Sequence, residues 1–178
     1  MWPRELSDGA LTDGAEAAVR QRLEQLGIDH EIVPCDPARA DTAAFCETYG
    51  YALDDSANTI VVAGKSNPPT YAACVVLATT RLDVNRVVRR RLGVGKASFA
   101  SADATLALTG MALGGVTVFG LPDGLPIWVD ALVMTRERIV LGGGSRHCKV
   151  LASPSILRAL AGVEIVEGLA TPARAEQP

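Results

Sequence analysis

A mixed α/β or α+β fold arranged around one sheet is what the sequence predicts, and three observations carry that reading. Helical and strand patterns intermingle along the chain instead of falling into separate halves. A β-branched run at 59–63 and an apolar run at 71–78 are joined by the turn formers Asn67-Pro68-Pro69, a hairpin signature. The 178 residues suffice for one full core but not two, and neither a repeat nor a linker divides them, so 1–178 is expected to be a single domain.

The elements follow in order. Asp13 followed by Glu16 resembles a capping box, and Ala15, Val19, Leu23 and Leu26 recur at helical spacing before Gly27, a natural helix end. Residues 28–33 alternate in polarity as a strand does, until Asp36-Pro37 stops them. Residues 42–49 read as a short helix closed by Gly50, so that 1–52 supply N-terminal helices and a strand. After the hairpin, Val84, Val87, Val88 and Leu92 fall on one helical face within 83–92 and leave Arg86, Arg89 and Arg90 on others. Residues 102–108 are expected as a helix with Gly110 past its end, and 116–119, 127–134 and 138–141 as strands. Ser153-Pro154 opens a helix that Gly162 closes, 163–166 make a last strand, and 168–178 are expected as a loose tail.

Composition narrows the function classes. With 48% hydrophobic and 21% charged residues, neither disorder nor a coiled coil is indicated. The longest stretch free of charges and breakers, 71–80, falls far short of the roughly 20 residues that span a bilayer, so no membrane partner is expected. Arg4, Glu5 and Asp8 precede no apolar segment, which argues against a secretory signal and for a cytoplasmic location. Cys35, Cys46, Cys74 and Cys148 show no paired spacing, so reduced, mostly buried thiols are expected. A site joining Cys35, Cys46, His147 and Cys148 does not have zinc spacing; neither a metal nor a cofactor is predicted.

The C-terminal half carries the strongest sign of a site. Gly114-Gly115 with Gly120, and Gly142-Gly143-Gly144, flank the short apolar strand of Leu125-Pro126-Ile127-Trp128-Val129-Asp130. Glycine serves where backbone must turn with positive φ or come within touching distance of a ligand, so these clusters predict a pocket rimmed by bare N–H groups. Other motifs are weaker. Gly93-Val94-Gly95-Lys96-Ala97-Ser98 imitates a phosphate loop, but Arg90 stands where glycine is needed, Ala97 where Ser or Thr is needed, and a helix precedes it. Ser145, His147 and Asp130 offer the residues of a hydrolase triad without the nucleophile elbow. Arg81, Arg86, Arg89, Arg90, Arg91 and Lys96 oppose only Asp83 in a chain of net charge −3. That segment reads equally as a phosphodiester-binding surface and as a solvated helix face. No aromatic interleaves with these arginines, which argues against stacking on unpaired bases.

The order of pieces from about 53 to 166 resembles the YbaK/EbsC-like family, the prolyl-tRNA-synthetase-associated editing domains that deacylate mischarged tRNA. The matching pieces are Ala57-Asn58-Thr59-Ile60-Val61-Val62, Leu82-Asp83 with its basic helix, Leu92-Gly93-Val94, Ala102-Asp103, and Thr109-Gly110 leading to Gly114-Gly115-Val116 and Gly120. Leu125-Pro126 to Asp130, Gly143-Gly144-Ser145-Arg146 and Ser153-Pro154 complete them.

The resemblance implies a mixed sheet curled toward a barrel with helices around it, and a pocket for the aminoacyl end of a tRNA. It also implies hydrolysis, or intramolecular displacement, of the ester to the terminal ribose. A carbonyl becoming an oxyanion needs fixed donors, which the N–H groups of Gly114, Gly115 and Gly144 would supply. Ser145, Arg146, Gly144, Lys149 and Asp130 are the expected substrate contacts, and Arg86, Arg89 and Arg90 the expected tRNA contacts. Val33 and Cys35 are expected to border the pocket, and Lys65 is expected as a further lysine within reach of it. One departure stands out: where the family carries a lysine just before the first hairpin strand, this chain has Asn58, which brings hydrogen bonds but no charge.

The expectation is therefore a trans-acting deacylase for a cysteine- or alanine-charged proline tRNA, associated with tRNA and prolyl-tRNA synthetase, and monomeric or homodimeric. A non-catalytic tRNA- or ligand-binding module and a hydrolase of small acyl esters are the alternatives.

Overall fold

The computed structural model describes residues 8–173. Helix α1 (Asp8–Leu26) starts before the expected cap, so Asp13 lies within it. Gly14 costs about 1 kcal/mol against alanine and does not halt a helix whose turns form on both sides. Glu16 faces other partners: its carboxylate accepts from Arg20 and, at 2.8 Å, from the Ser145 hydroxyl. Burial pushes the Glu16 carboxyl up, but these hydrogen bonds outweigh it and hold the group below its usual range.

Next come β1 (His30–Pro34), α2 (Thr42–Tyr49) and the antiparallel hairpin β2 (Ala57–Gly64) and β3 (Thr70–Leu77), in the register Ala57 opposite Leu77. Gly50 closes α2 at φ 76°, a backbone setting that favours glycine. After β4 (Thr80–Leu82), the predicted basic helix is a π-turn, Val84–Val88, continued by α3 (Arg89–Leu92); the Asp83 side chain caps it on Arg86 N–H. Then follow β5 (Ala97–Phe99), α4 (Ala102–Thr109), β6 (Ile127–Asp130), β7 (Ile139–Gly142), β8 (Cys148–Ala152), α5 (Ser155–Arg158), β9 (Val163–Val166) and β10 (Ala170–Pro172).

Five strands in the order β5-β2-β3-β6-β9 form a mixed sheet, and β1-β8-β7 a second, antiparallel one. A parallel bridge between Ser56 and Val140 joins them, so the sheets curl around a common core without closing. That core packs Val61, Ala73, Val75 and Val129 against Ile139, Leu141, Val150 and Ala152, with Val19 and Leu23 of α1. The other face of the five-stranded sheet, with Val62, Ala72, Cys74, Val76 and Trp128, is covered by Val84 and Val88. Buried on both faces, β3 reads as an unbroken apolar run. Burial pushes the Cys74 thiol there up to about 12, and all four cysteines are buried and unpaired.

Three expectations need correction. Residues 116–119 are buried but not a strand: the backbone of Gly142 abuts the Val116 carbonyl, and packing, not a ladder, holds the segment. The strand predicted at 127–134 ends at Asp130, whose side chain accepts from Leu132 N–H and starts the 3-10 turn Ala131–Thr135. The tail expected at 168–178 contains β10, which pairs with β4; residues 174–178 lie outside the described residues. Among the described residues, no helix is long and apolar enough to cross a membrane.

Candidate active site

Along β2, pairing with β5 begins only at Val62, and the bridge to β7 lies at Ser56. Between these points the strand edge has no strand beside it. It forms one wall of a cavity of about 240 Å³, whose opposite wall is the loop of Leu113, Gly114 and Val116.

Three residues that carry hydrogen-bond donors line this space. Asn58 Oδ1 accepts from the Thr42 hydroxyl at 2.7 Å, which leaves the amide N–H₂ to donate elsewhere beside the cavity that both residues line. Lys149 enters from β8, only 6% exposed, and its ammonium donates to Ala40 O at 2.7 Å and Gly114 O at 2.8 Å. The Phe45 ring lies 5.6 Å away, within cation–π range. Burial lowers the Lys149 pKa most, the nearby Cys35 opposes that, and Arg146 adds to it. The third is Gly114, which lines the cavity at φ +90° in a turn where a Cβ would strike the Arg146 guanidinium. Thr59 adds a buried hydroxyl that meets no partner among the described residues.

Arg146 fixes the loop from behind. Its guanidinium donates to Leu113 O (3.0 Å), to Pro37 O (3.0 Å) and to Asp41 Oδ1 (3.1 Å), tying the 113–115 turn to the segment before α2. Asp41 sits at the N-cap of α2 yet caps nothing with its side chain, because the carboxylate is turned to Arg146.

The two glycine clusters do meet, with a different consequence from that expected. Gly144 N–H donates to Gly115 O at 2.8 Å and Gly115 N–H to Ala112 O at 3.0 Å, so neither amide is turned to a ligand. A Cβ on Gly115 would lie 2.6 Å from the Ser145 backbone, one on Gly142 2.2 Å from Val116 O, and one on Gly144 2.8 Å from Val19. These glycines let two backbone turns and α1 touch; only Gly114 and Gly142 border the cavity.

Of the residues the sequence singled out, the fold therefore gathers Asn58, Gly114 and Lys149 at the cavity, with Gly115 and Arg146 behind its wall. Ser145 is buried, donating to Glu16 and accepting from His147 N–H. Val33 and Cys35 belong to the apolar cluster around Phe45, and Lys65 is exposed at the hairpin end. Asp130 is a structural group: Oδ1 accepts from Leu132 N–H and Oδ2 from Ala170 N–H, both away from the cavity, so no triad with Ser145 and His147 exists. Asp130→Ala strands two donors and should cost about 3 kcal/mol in a denaturant melt. Arg86, Arg89 and Arg90 are exposed on the turns covering the far face of the sheet.

Asp41, Thr42, Thr59 and Leu113 line the cavity without having been singled out. Asp41-Thr42 at a helix start reads as ordinary capping, and only the arginine a hundred residues away reveals its other use.

A family model described as the aminoacyl-tRNA editing domain matches residues 36–160. Among solved structures, a candidate trans-editing enzyme for prolyl tRNA synthetase aligns with TM-score 0.74 and 23% identity over 86% of this chain and 95% of that one. A hypothetical protein aligns with TM-score 0.76 and 21% identity over 86% and 99%. A scaffold used for epitope backbone grafting aligns with TM-score 0.72 and 22% identity over 86% and 96%. At these identities the structural matches establish the shared fold.

Proposed function

The chain belongs to the aminoacyl-tRNA editing domain family, and from that membership we infer that it is a deacylase acting in trans, in the cytoplasm, on the ester between a wrong amino acid and the terminal ribose of a tRNA. Its substrate is cysteine or alanine carried on a proline tRNA, and prolyl-tRNA synthetase is the enzyme whose errors it removes. The observation that carries this reading is the convergence of Asn58, Gly114 and Lys149 on one small cavity. A volume of about 240 Å³ suits a small side chain at the end of a strand of RNA.

In this reading a water oxygen bonds to the ester carbon, and the carbonyl oxygen, now an oxyanion, turns to Gly114 N–H. The nearby Lys149 ammonium favours the same charge. The bond to the ribose oxygen then breaks, and that oxygen takes the proton the water released, relayed by the neighbouring ribose hydroxyl. Asn58 orients the aminoacyl group. Positive charge, which the family places on the lysine before the first hairpin strand, is here brought by β8.

The test is release of amino acid from a panel of mischarged tRNAs by the purified protein, with a lysine-bearing relative alongside. Asn58→Ala is expected to lower kcat/KM at least about 10-fold, as loss of a positioning contact does. No release by the wild type, with release by Asn58→Lys, would instead establish the binding-module reading that asparagine at this position favours.

A further inference from the structure

Asn58, Ile60 and Val62 project from one face of β2, and the pairing of β5 puts Phe99 opposite Val62 and Ala97 opposite Gly64 on that same face. The turns 84–92 and Val94 cover one end of it. Val62, Ala97, Val84 and Val88 are buried together, with Ile60, Val87 and Val94 at their margin. The cover stops short of Phe99, which is 59% exposed.

Cations gather at the covered end. Arg89 donates to Gly95 O at 3.3 Å, and Lys65 N–H to Lys96 O at 2.8 Å, which holds both lysines beside the start of β5; Arg90 is exposed on the next helical position. The one acid of this stretch, Asp83, is paired with Arg86. Along β2 the order is this cationic end, Phe99 opposite Val62, Ile60, then the cavity at Asn58. From the position of Phe99 to Asn58 is four residues of β2, about 13 Å, a length of a few nucleotides. The arginines have no aromatic neighbour in the sequence; the sheet supplies one.

The geometry points to this face as the track for the unpaired 3′ strand of the RNA, with Phe99 stacking on a base and Arg89, Arg90 and Lys96 on the phosphates that follow. The direction of the strand rests on the deacylase reading, which puts the aminoacyl end in the cavity. A polyanion with exposed bases fits an aromatic flanked by cations that meet no acid among the described residues, since both binding terms are then used. A protein partner would need an apolar patch, and here one ring stands nearly alone.

The probe is a fluorescein-labelled RNA tetranucleotide ending in CCA and carrying no amino acid, followed by fluorescence anisotropy at several salt concentrations. Phe99→Ala should weaken binding about 10-fold or more, the range for losing one base–aromatic stack. Phe99→Trp should keep the affinity and show quenched tryptophan emission on binding. Arg90→Ala and Lys96→Ala should each flatten the salt dependence by about 0.7 in log–log slope.

Equal affinity of Phe99→Ala and wild type overturns the proposal, as does loss of association with prolyl-tRNA synthetase at unchanged RNA affinity. Because the probe has no ester, the two readings separate. Phe99-dependent binding without deacylation of any tRNA leaves the track and removes the enzyme, and deacylation with Phe99-independent binding does the reverse.

Discussion

Gly115→Ala is expected to destabilise the protein by about 3 kcal/mol, the upper end of what overpacking costs, and to lower deacylation at least about 100-fold. The added Cβ would stand 2.6 Å from both the carbonyl carbon and oxygen of Ser145 and 2.8 Å from its Cα. All three are backbone atoms, so no rotamer change relieves the clash; one of the two turns must move. Ser145 is held by Glu16 on α1 and Gly144 packs on Val19 and Ala15, so the 113–115 turn must shift against its bonds to Arg146 and Lys149. Its displacement shifts Gly114 N–H, and an error of about 1 Å in a catalytic group costs on the order of 100-fold. In a domain of this size the stability loss lowers Tm by roughly 6–12 °C, which calorimetry reads, while single-turnover deacylation well below the new Tm reads the chemistry. Gly14→Ala supplies the contrast: its Cβ meets nothing within 4 Å, and the helix there should gain up to about 1 kcal/mol. A Gly115→Ala melt that matches the wild type would mean the turns are not packed as described.

That contrast also marks what a sequence can disclose about glycine. Both clusters were legible as places of close approach, and they do converge. What the sequence could not separate is whether the approaching group is a ligand or another stretch of the same chain. For Gly115, Gly142 and Gly144 it is the chain, whereas Gly114 lines the cavity and packs against the Arg146 side chain. Local signals did well where local physics decides: α2, closed by Gly50, and β9 fall at their expected bounds. They failed where tertiary contacts decide. Strand β8 is buried at every position, so it lacks the alternation that announces a half-exposed strand, and the strand that carries Lys149 goes unpredicted. Asp130, at the end of the apolar strand, looks like a substrate ligand in sequence and proves to be a cap and a crossing hydrogen bond.

Lys149→Met should separate the two jobs of that lysine, because they respond to pH with opposite signs. Burial holds its pKa below the ordinary lysine value, so over the window between the two the unfolded chain binds more protons than the folded one. Stability then rises with pH across that window, and the cost of burying the charge is fully present below it. Removing the ammonium abolishes this slope. It also strands Ala40 O and Gly114 O, which are the ammonium's partners at 2.7 and 2.8 Å, at about 1–3 kcal/mol for each buried acceptor left unmet. The deacylation rate runs the other way. If the ammonium favours the oxyanion, kcat/KM should fall as pH climbs through the same depressed pKa, and Lys149→Met should lose that descending limb together with about 100-fold or more in rate, the scale for one oxyanion donor. A variant that keeps the descending limb would assign it to another group; one that keeps the rate would leave Lys149 as a brace for the Gly114 turn and shift the electrostatic work to Asn58 and Gly114 N–H alone.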